Sequence, residues 1–172
     1  MTMTNSMTVN ASADAIWQMI GPDFAAVDKW MAATPTAEPI SGTPIPGAPV
    51  KGRNSFLIKK FQPMYQEEII TEYSDAKRTV SFQVTMRKTP KLMPLKGYDS
   101  TVIIEPISDG SSKVTWIGNA QIHWFGKVLS GPLLKSLDDG FIRNLEEIKH
   151  IMETGQPHPR KVAKNKAEGI AA

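Results

Sequence analysis

The sequence predicts an α+β domain in which an antiparallel β-sheet has its inner face covered by a long C-terminal α-helix, with two short helices near the N-terminus. Three observations predict it. Five β-rich stretches follow one another between residues 54 and 124 with only turns or short loops between them, which favours antiparallel neighbours. Leu133, Leu137, Phe141, Leu145, Ile148 and Met152 then recur at steps of three or four, placing them on one apolar stripe of a helix. The 172 residues are 41% hydrophobic and 22% charged, which supplies enough apolar side chain for one core and is far from a disordered composition.

The elements follow in order. Met7–Ala11 reads as the end of a short strand, and Ser12 can cap a helix with Ala15, Ile16, Met19 and Ile20 at helical spacing, closed by Gly21-Pro22. A second short helix, Asp23–Trp30, puts Phe24, Val27 and Trp30 on one side. Five prolines and two glycines between Pro35 and Pro49 make that stretch irregular or an edge. Strands are predicted over Asn54–Lys60, Gln66–Tyr73, Arg78–Arg87, Tyr98–Glu105 and Lys113–Trp124, the last two joined by the turn Ser108-Asp109-Gly110-Ser111. The alternation is cleanest in Arg78–Arg87, with Val80, Phe82, Val84 and Met86 on one face. The closing helix, Pro132–Thr154, has Pro in its first turn, Gly155 at its C-terminal cap and a length of about 34 Å. Gly140 inside it costs about 1 kcal/mol relative to Ala and suggests a close approach or a bend.

The formal charge of +3 is misleading as a guide to partners. Residues before Gln156 carry 16 basic and 16 acidic side chains and are neutral as a unit. Arg160, Lys161, Lys164 and Lys166 against Glu168 supply the whole excess. The sequence therefore predicts a single domain over 1–155 followed by a basic, disordered extension over 156–172, and neither a nucleic-acid nor a membrane partner. With no Cys there is no disulfide, thiolate metal site or cysteine nucleophile, and three scattered His predict no metal centre. Residues 1–9 lack Lys, Arg and a long apolar run, so the expectation is a cytoplasmic protein, monomeric or a homodimer. No nucleophile elbow, phosphate loop, dinucleotide fingerprint or His-Glu-x-x-His motif occurs.

Several local patterns, in this order, resemble the SRPBCC superfamily, which contains START domains, birch-pollen-allergen-like proteins and a bacterial polyketide cyclase/dehydrase-like branch. They are Ser12-Ala-Asp-Ala-Ile-Trp17, Trp30, Gly52, Glu68-Ile-Ile-Thr-Glu-Tyr73, Arg78-Thr-Val-Ser-Phe82, Gly97-Tyr98 and Val114-Thr-Trp116. The resemblance spans about residues 5–154 and is closest to the cyclase/dehydrase-like branch. Ser55 stands where that superfamily often has Arg, and Phe82 where it often has Tyr, both less polar. It implies the helix-grip fold, in which a curved antiparallel sheet wraps around the long C-terminal helix and leaves a cavity between them.

For that cavity, strand alternation puts Val80, Phe82, Val84, Tyr98, Ser100, Val102, Val114, Trp116, Gly118 and Ala120 on the concave face. The ligand-binding set expected from these and the helices is Trp17, Trp30, Phe82, Tyr98, Trp116, Leu133, Leu137 and Phe141. Glu68 shares the parity of Ile70 and so points inward, where it and Tyr98 are the expected proton donor and acceptor. His123 and Asp99 fall on the outer face, and Asp138-Asp139 on a solvated one. Lys91-Leu-Met-Pro-Leu95 is the one apolar surface loop and reads as a lid. The expected function is binding of a small hydrophobic or aromatic molecule. The competing one is a cyclase, dehydratase or isomerase that uses the same cavity without a cofactor.

Overall fold

The computed structural model describes residues 2–57, 64–90, 93–124 and 130–170. Seven strands form one antiparallel sheet: β1 (Thr2–Val9), β2 (Thr36–Pro39), β3 (Gly52–Phe56), β4 (Tyr65–Ser74), β5 (Thr79–Arg87), β6 (Leu95–Ser108) and β7 (Ser111–Ile122). Their order is β1-β7-β6-β5-β4-β3-β2, a meander from β2 to β7 with β1 returning to pair with β7. The proline-rich stretch contributes β2 as an edge strand on β3. The predicted extension of β3 beyond Leu57 lies outside the described residues, as do residues 91 and 92 of the loop read as a lid.

Helix α1 (Ala13–Ile20) starts where Ser12 Oγ accepts the Ala15 N–H at 3.3 Å, and it buries Ile16, Trp17 and Ile20. The second short helix is a 3-10 helix, Phe24–Lys29, burying Phe24 and Val27. Helix α2 (Ser130–Thr154) carries the apolar stripe and lies chiefly against β1 and β7. Asn5 Nδ2 donates to Asp138 Oδ1 at 2.6 Å, and Lys149 Nζ to the Thr8 carbonyl at 3.0 Å, tying both halves of the helix to β1. This is the helix-grip arrangement, and its core includes Val9, Ile16, Phe24, Val80, Val114 and Ile148.

The stripe does not bury evenly. Phe141, Leu145 and Ile148 are fully buried, whereas Leu133 and Leu137 are only half-buried. The helix is seated at its C-terminal half and stands off the sheet at its N-terminal half. Phe141 marks the change, because its ring occupies the space above Gly118 that any Cβ would claim. The gap that Gly118 leaves in β7 is therefore filled by a side chain of α2. Gly140, by contrast, has nothing within 4 Å of where its Cβ would sit, so it marks open space and not the close approach expected from sequence.

The segment after Gln156 corrects the sequence reading of a disordered tail. Pro159–Glu168 is a third helix, α3, with Pro159 at its first turn and Gly169 in the left-handed conformation at its end (φ 66°). His158 Nδ1 caps it by accepting the Arg160 N–H at 3.1 Å. Arg160 bridges Glu146 at 2.7 Å and Glu147 at 3.1 Å, and Lys161, 0% exposed, donates from Nζ to the Thr34 carbonyl at 2.8 Å. Charged side chains anchor this helix in place of an apolar stripe. Its docking comes from ion pairs and the buried aliphatic stem of a lysine, which composition does not reveal.

Two predictions follow from the packing. Ala is ordinarily favoured over Gly in a strand by about 0.5–1 kcal/mol. Gly118→Ala nevertheless lowers stability by about 1–3 kcal/mol through overpacking. In a double-mutant cycle read by urea unfolding, Phe141→Leu recovers part of that loss. Burial, then the neighbouring Arg160 cation, hold the His158 imidazole below its usual 6.5, against weaker opposition from Glu147 and Glu146 and with His150 adding to the depression. A histidine with a depressed native pKa stabilises above the unfolded value and loses that contribution as pH falls. Amide-exchange protection of residues 159–168 therefore falls between pH 7.5 and 5; protection constant across that range contradicts the cap.

Candidate functional site

The stand-off of α2 leaves a cavity of about 120 Å³ between the concave sheet and the N-terminal half of the helix. Phe82, Tyr98 and Trp116 wall it from the sheet, Leu137 and Phe141 from α2, and Met31 and Ala33 from the segment after the 3-10 helix. The aromatic rings hold one another. Trp116 and Phe141 stack at 5.8 Å, Tyr98 meets Phe141 edge-on at 5.6 Å, and Phe82 meets Trp116 edge-on at 6.4 Å. Trp116 Nε1 donates to the buried Ser100 Oγ at 2.9 Å, which fixes the indole and satisfies its only donor.

One wall is polar. Arg53 and Glu68 are register partners on β3 and β4, brought close because Gly52 has no Cβ to strike the Glu68 carbonyl. Arg53 donates to Glu68 Oε2 from Nη2 at 2.7 Å and from Nε at 3.1 Å, and its Nη1 donates to the Phe24 carbonyl. The guanidinium also lies 4.0 Å over the Phe24 ring. Both side chains are about 5% exposed. An ion pair this deep is a poor source of net stability, but removing one partner leaves a bare buried charge. Both Arg53 bonds end on Oε2, and no hydrogen bond among the described residues ends on Glu68 Oε1.

Tyr98 is the second polar group of this wall. Burial, and then the Glu68 carboxylate, push its phenol well above the usual tyrosine range. It stays protonated at neutral pH and acts as a donor. Its O–H reaches Gln66 Oε1 at 3.3 Å, a long bond that a better acceptor can displace.

Of the residues singled out in the sequence, Glu68, Phe82, Tyr98, Trp116, Leu137 and Phe141 meet at this cavity. Trp17, Trp30 and Leu133 do not line it. Trp17 lies against Tyr73 at 5.2 Å with its Nε1 donating to Asp75 Oδ1 at 2.8 Å, Trp30 belongs to the core, and Leu133 packs at the core's margin. Asp99 accepts from Gln83 and Gln121 on the outer face, while Asp138 and Asp139 bond Asn5 and Lys135. Sequence reasoning missed Arg53, Gln66, Gly140 and Asn144. Arg53 had a legible signal: counted along β3 it shares the parity of Ser55 and sits beside Gly52, opposite the inward Glu68. Among the described residues no group of three or more His, Asp or Glu is arranged to hold a metal ion, and no helix is long and apolar enough to cross a membrane.

Comparison with solved structures finds the same fold at low sequence identity. A START superfamily protein from Mycobacterium smegmatis superposes with a TM-score of 0.68 at 13% identity, over 90% of this chain and 99% of that one. The Zhui aromatase/cyclase from a Streptomyces species gives 0.70 at 10% identity, over 89% and 93%. Truncated norcoclaurine synthase from Thalictrum flavum gives 0.64 at 17%, over 90% and 93%. No curated protein matches the sequence. A family model described as polyketide cyclase / dehydrase and lipid transport matches residues 1–149, the whole sheet and most of α2. With the cavity, the grip and that match together, the chain belongs to the polyketide cyclase / dehydrase and lipid transport family.

Proposed function

We propose that this chain binds a small hydrophobic or aromatic molecule in the cavity between the sheet and α2. The observation that carries the reading is the cavity wall itself, with Phe82, Trp116 and Phe141 on the apolar sides and Arg53, Glu68 and Tyr98 together on one polar side. Such a wall takes an apolar ring and orients one oxygen-bearing substituent. The volume narrows the class. About 120 Å³ is of the order of the engineered cavity of about 150 Å³ that takes benzene, and below the roughly 300 Å³ at which drug-sized pockets begin. The inner chamber therefore suits one ring of a ligand.

A second reading is supported by the Glu68 oxygen that takes no hydrogen bond among the described residues and by the neutral Tyr98 phenol in the same chamber. With a carbonyl compound bound, Tyr98 donates to the carbonyl oxygen while Glu68 Oε1 takes the α-proton. The electron pair moves to the enolate oxygen, and where the compound is β,γ-unsaturated, return of the proton to the γ-carbon of the dienolate completes an isomerisation. Acid and base are both side chains, so the step requires no cofactor. Norcoclaurine synthase and the aromatase/cyclase share this fold, which makes the reading worth testing, although one fold hosts many functions.

Thermal shift with single-ring ketones tests the binding. Phenylacetone at a hundredfold excess over Kd stabilises by about 2.7 kcal/mol. For a chain of this size that raises Tm by about 5–10 °C. Gly140→Trp, which puts an indole at the open rim, abolishes the shift without lowering the unliganded Tm. No shift with any single-ring ligand sinks the proposal. For the catalytic reading, loss of the α-proton signals of phenylacetone in D₂O is faster with the wild type than with Tyr98→Phe. Glu68→Gln is a poor probe, because it strands Arg53 and costs about 3–5 kcal/mol of stability.

A further inference from the structure

The cavity opens at Ala33, Gly140 and Asn144, and those same residues line a groove of about 360 Å³ on the outside. The far walls of that groove are Arg143 and Glu147 of α2 with Arg160 and Lys164 of α3. The two spaces share those three residues as walls, so an apolar chamber and a charged vestibule lie side by side at Gly140. The vestibule depends on α3, which lies wholly beyond the 149 residues that the family match covers.

Three cations and one carboxylate line the vestibule, and the carboxylate is already used. Glu147 is buried, accepting the Ala32 N–H on Oε2 at 2.8 Å and Arg160 Nε on Oε1 at 3.1 Å. Arg160 is committed as well, to Glu146, Glu147 and the Arg143 carbonyl. Two cations remain for a ligand. No hydrogen bond or ion pair among the described residues takes up the Arg143 guanidinium, and Lys164 Nζ meets Glu168 Oε1 at 3.1 Å, which uses one of the ammonium's three donors. On α2, Arg143 and Asn144 lie three and four residues after Gly140, and Glu147 four and three after them, so the four share one stripe.

We propose that the ligand carries an oxyanion: its ring enters the chamber, its chain crosses Gly140, and its carboxylate or phosphate is held between Arg143 and Lys164. This rests on the cavity reading above and adds the substrate class, an acidic amphiphile with one ring and a short tail. Arg160 is a positioning residue that pins α3 so that Lys164 faces Arg143.

Calorimetric titration of the full chain with 4-phenylbutyrate and with its neutral amide, 4-phenylbutyramide, tests it. A charged hydrogen bond added at the mouth makes the acid bind about tenfold tighter or more at low salt. That preference shrinks as NaCl rises from 20 to 300 mM. The double variant Arg143→Gln/Lys164→Gln binds acid and amide equally while its amide affinity stays at the wild-type value. Equal affinities in the wild type, with both ligands lost in Gly140→Trp, overturn the vestibule and leave the cavity reading standing. A preference that persists in the double variant also overturns it. Binding of neither ligand overturns the cavity reading and this inference together.

Discussion

The position of one ring governs the molecule. Phe141 lies where a residue other than glycine at 118 would place its Cβ, and there a side chain of α2 reaches the backbone of β7. On one side of that point Leu145 and Ile148 are fully buried against the sheet. On the other side a straight helix departs from a twisted, curving surface, and the space between them cannot be closed by side chains of ordinary size. The cavity is thus a geometric residue of seating a rod in a trough. Phe141, which seats it, is also the ring that Trp116 and Tyr98 pack against.

The polar wall follows from a different constraint. Charge inside a protein must be neutralised locally, and the ladder register that sets Arg53 opposite Glu68 does this before any ligand arrives. The pair leaves one carboxylate oxygen that takes no hydrogen bond among the described residues, in a cavity whose other walls carry aromatic rings. A group in that position is spared the reorganisation that water demands, which is the condition under which a modest dipole or proton donor counts for most.

How much of this could be read from the chain depended on the kind of force involved. Strands whose faces differ in polarity, such as Thr79–Arg87, declare themselves by alternation, and α2 by its stripe, because burial of apolar area writes a period into the sequence. Glu68 was legible by the same parity argument. Arg53 is harder to read, because the Arg of the family pattern aligns with Ser55 two residues on, and a lone Arg in a short strand ordinarily reads as surface. Trp17 and Trp30 were placed in the site because large aromatics suit ligands, yet the core takes such residues for the same reason. Helix α3 left no hydrophobic period at all: its anchors are Arg160 and Lys161, and their partners lie far away in sequence at Glu147 and Thr34. Long-range polar contacts are the part of a fold that composition and periodicity do not encode.

The bond from Lys161 to the Thr34 carbonyl has a consequence for the molecule as a machine. Thr34 directly follows Ala33, which stands at the cavity mouth, and precedes β2 at the edge of the sheet. The last turns of the chain thus act as a guy-rope on one lip of the opening, and the lip is only as steady as the helix that holds it. Helix α3 is the least apolar of the helices and is held by polar contacts, so the lip depends on ion pairs and not on the hydrophobic core. The shape of the opening thus answers to contacts made at the far end of the chain, some distance from the cavity wall itself.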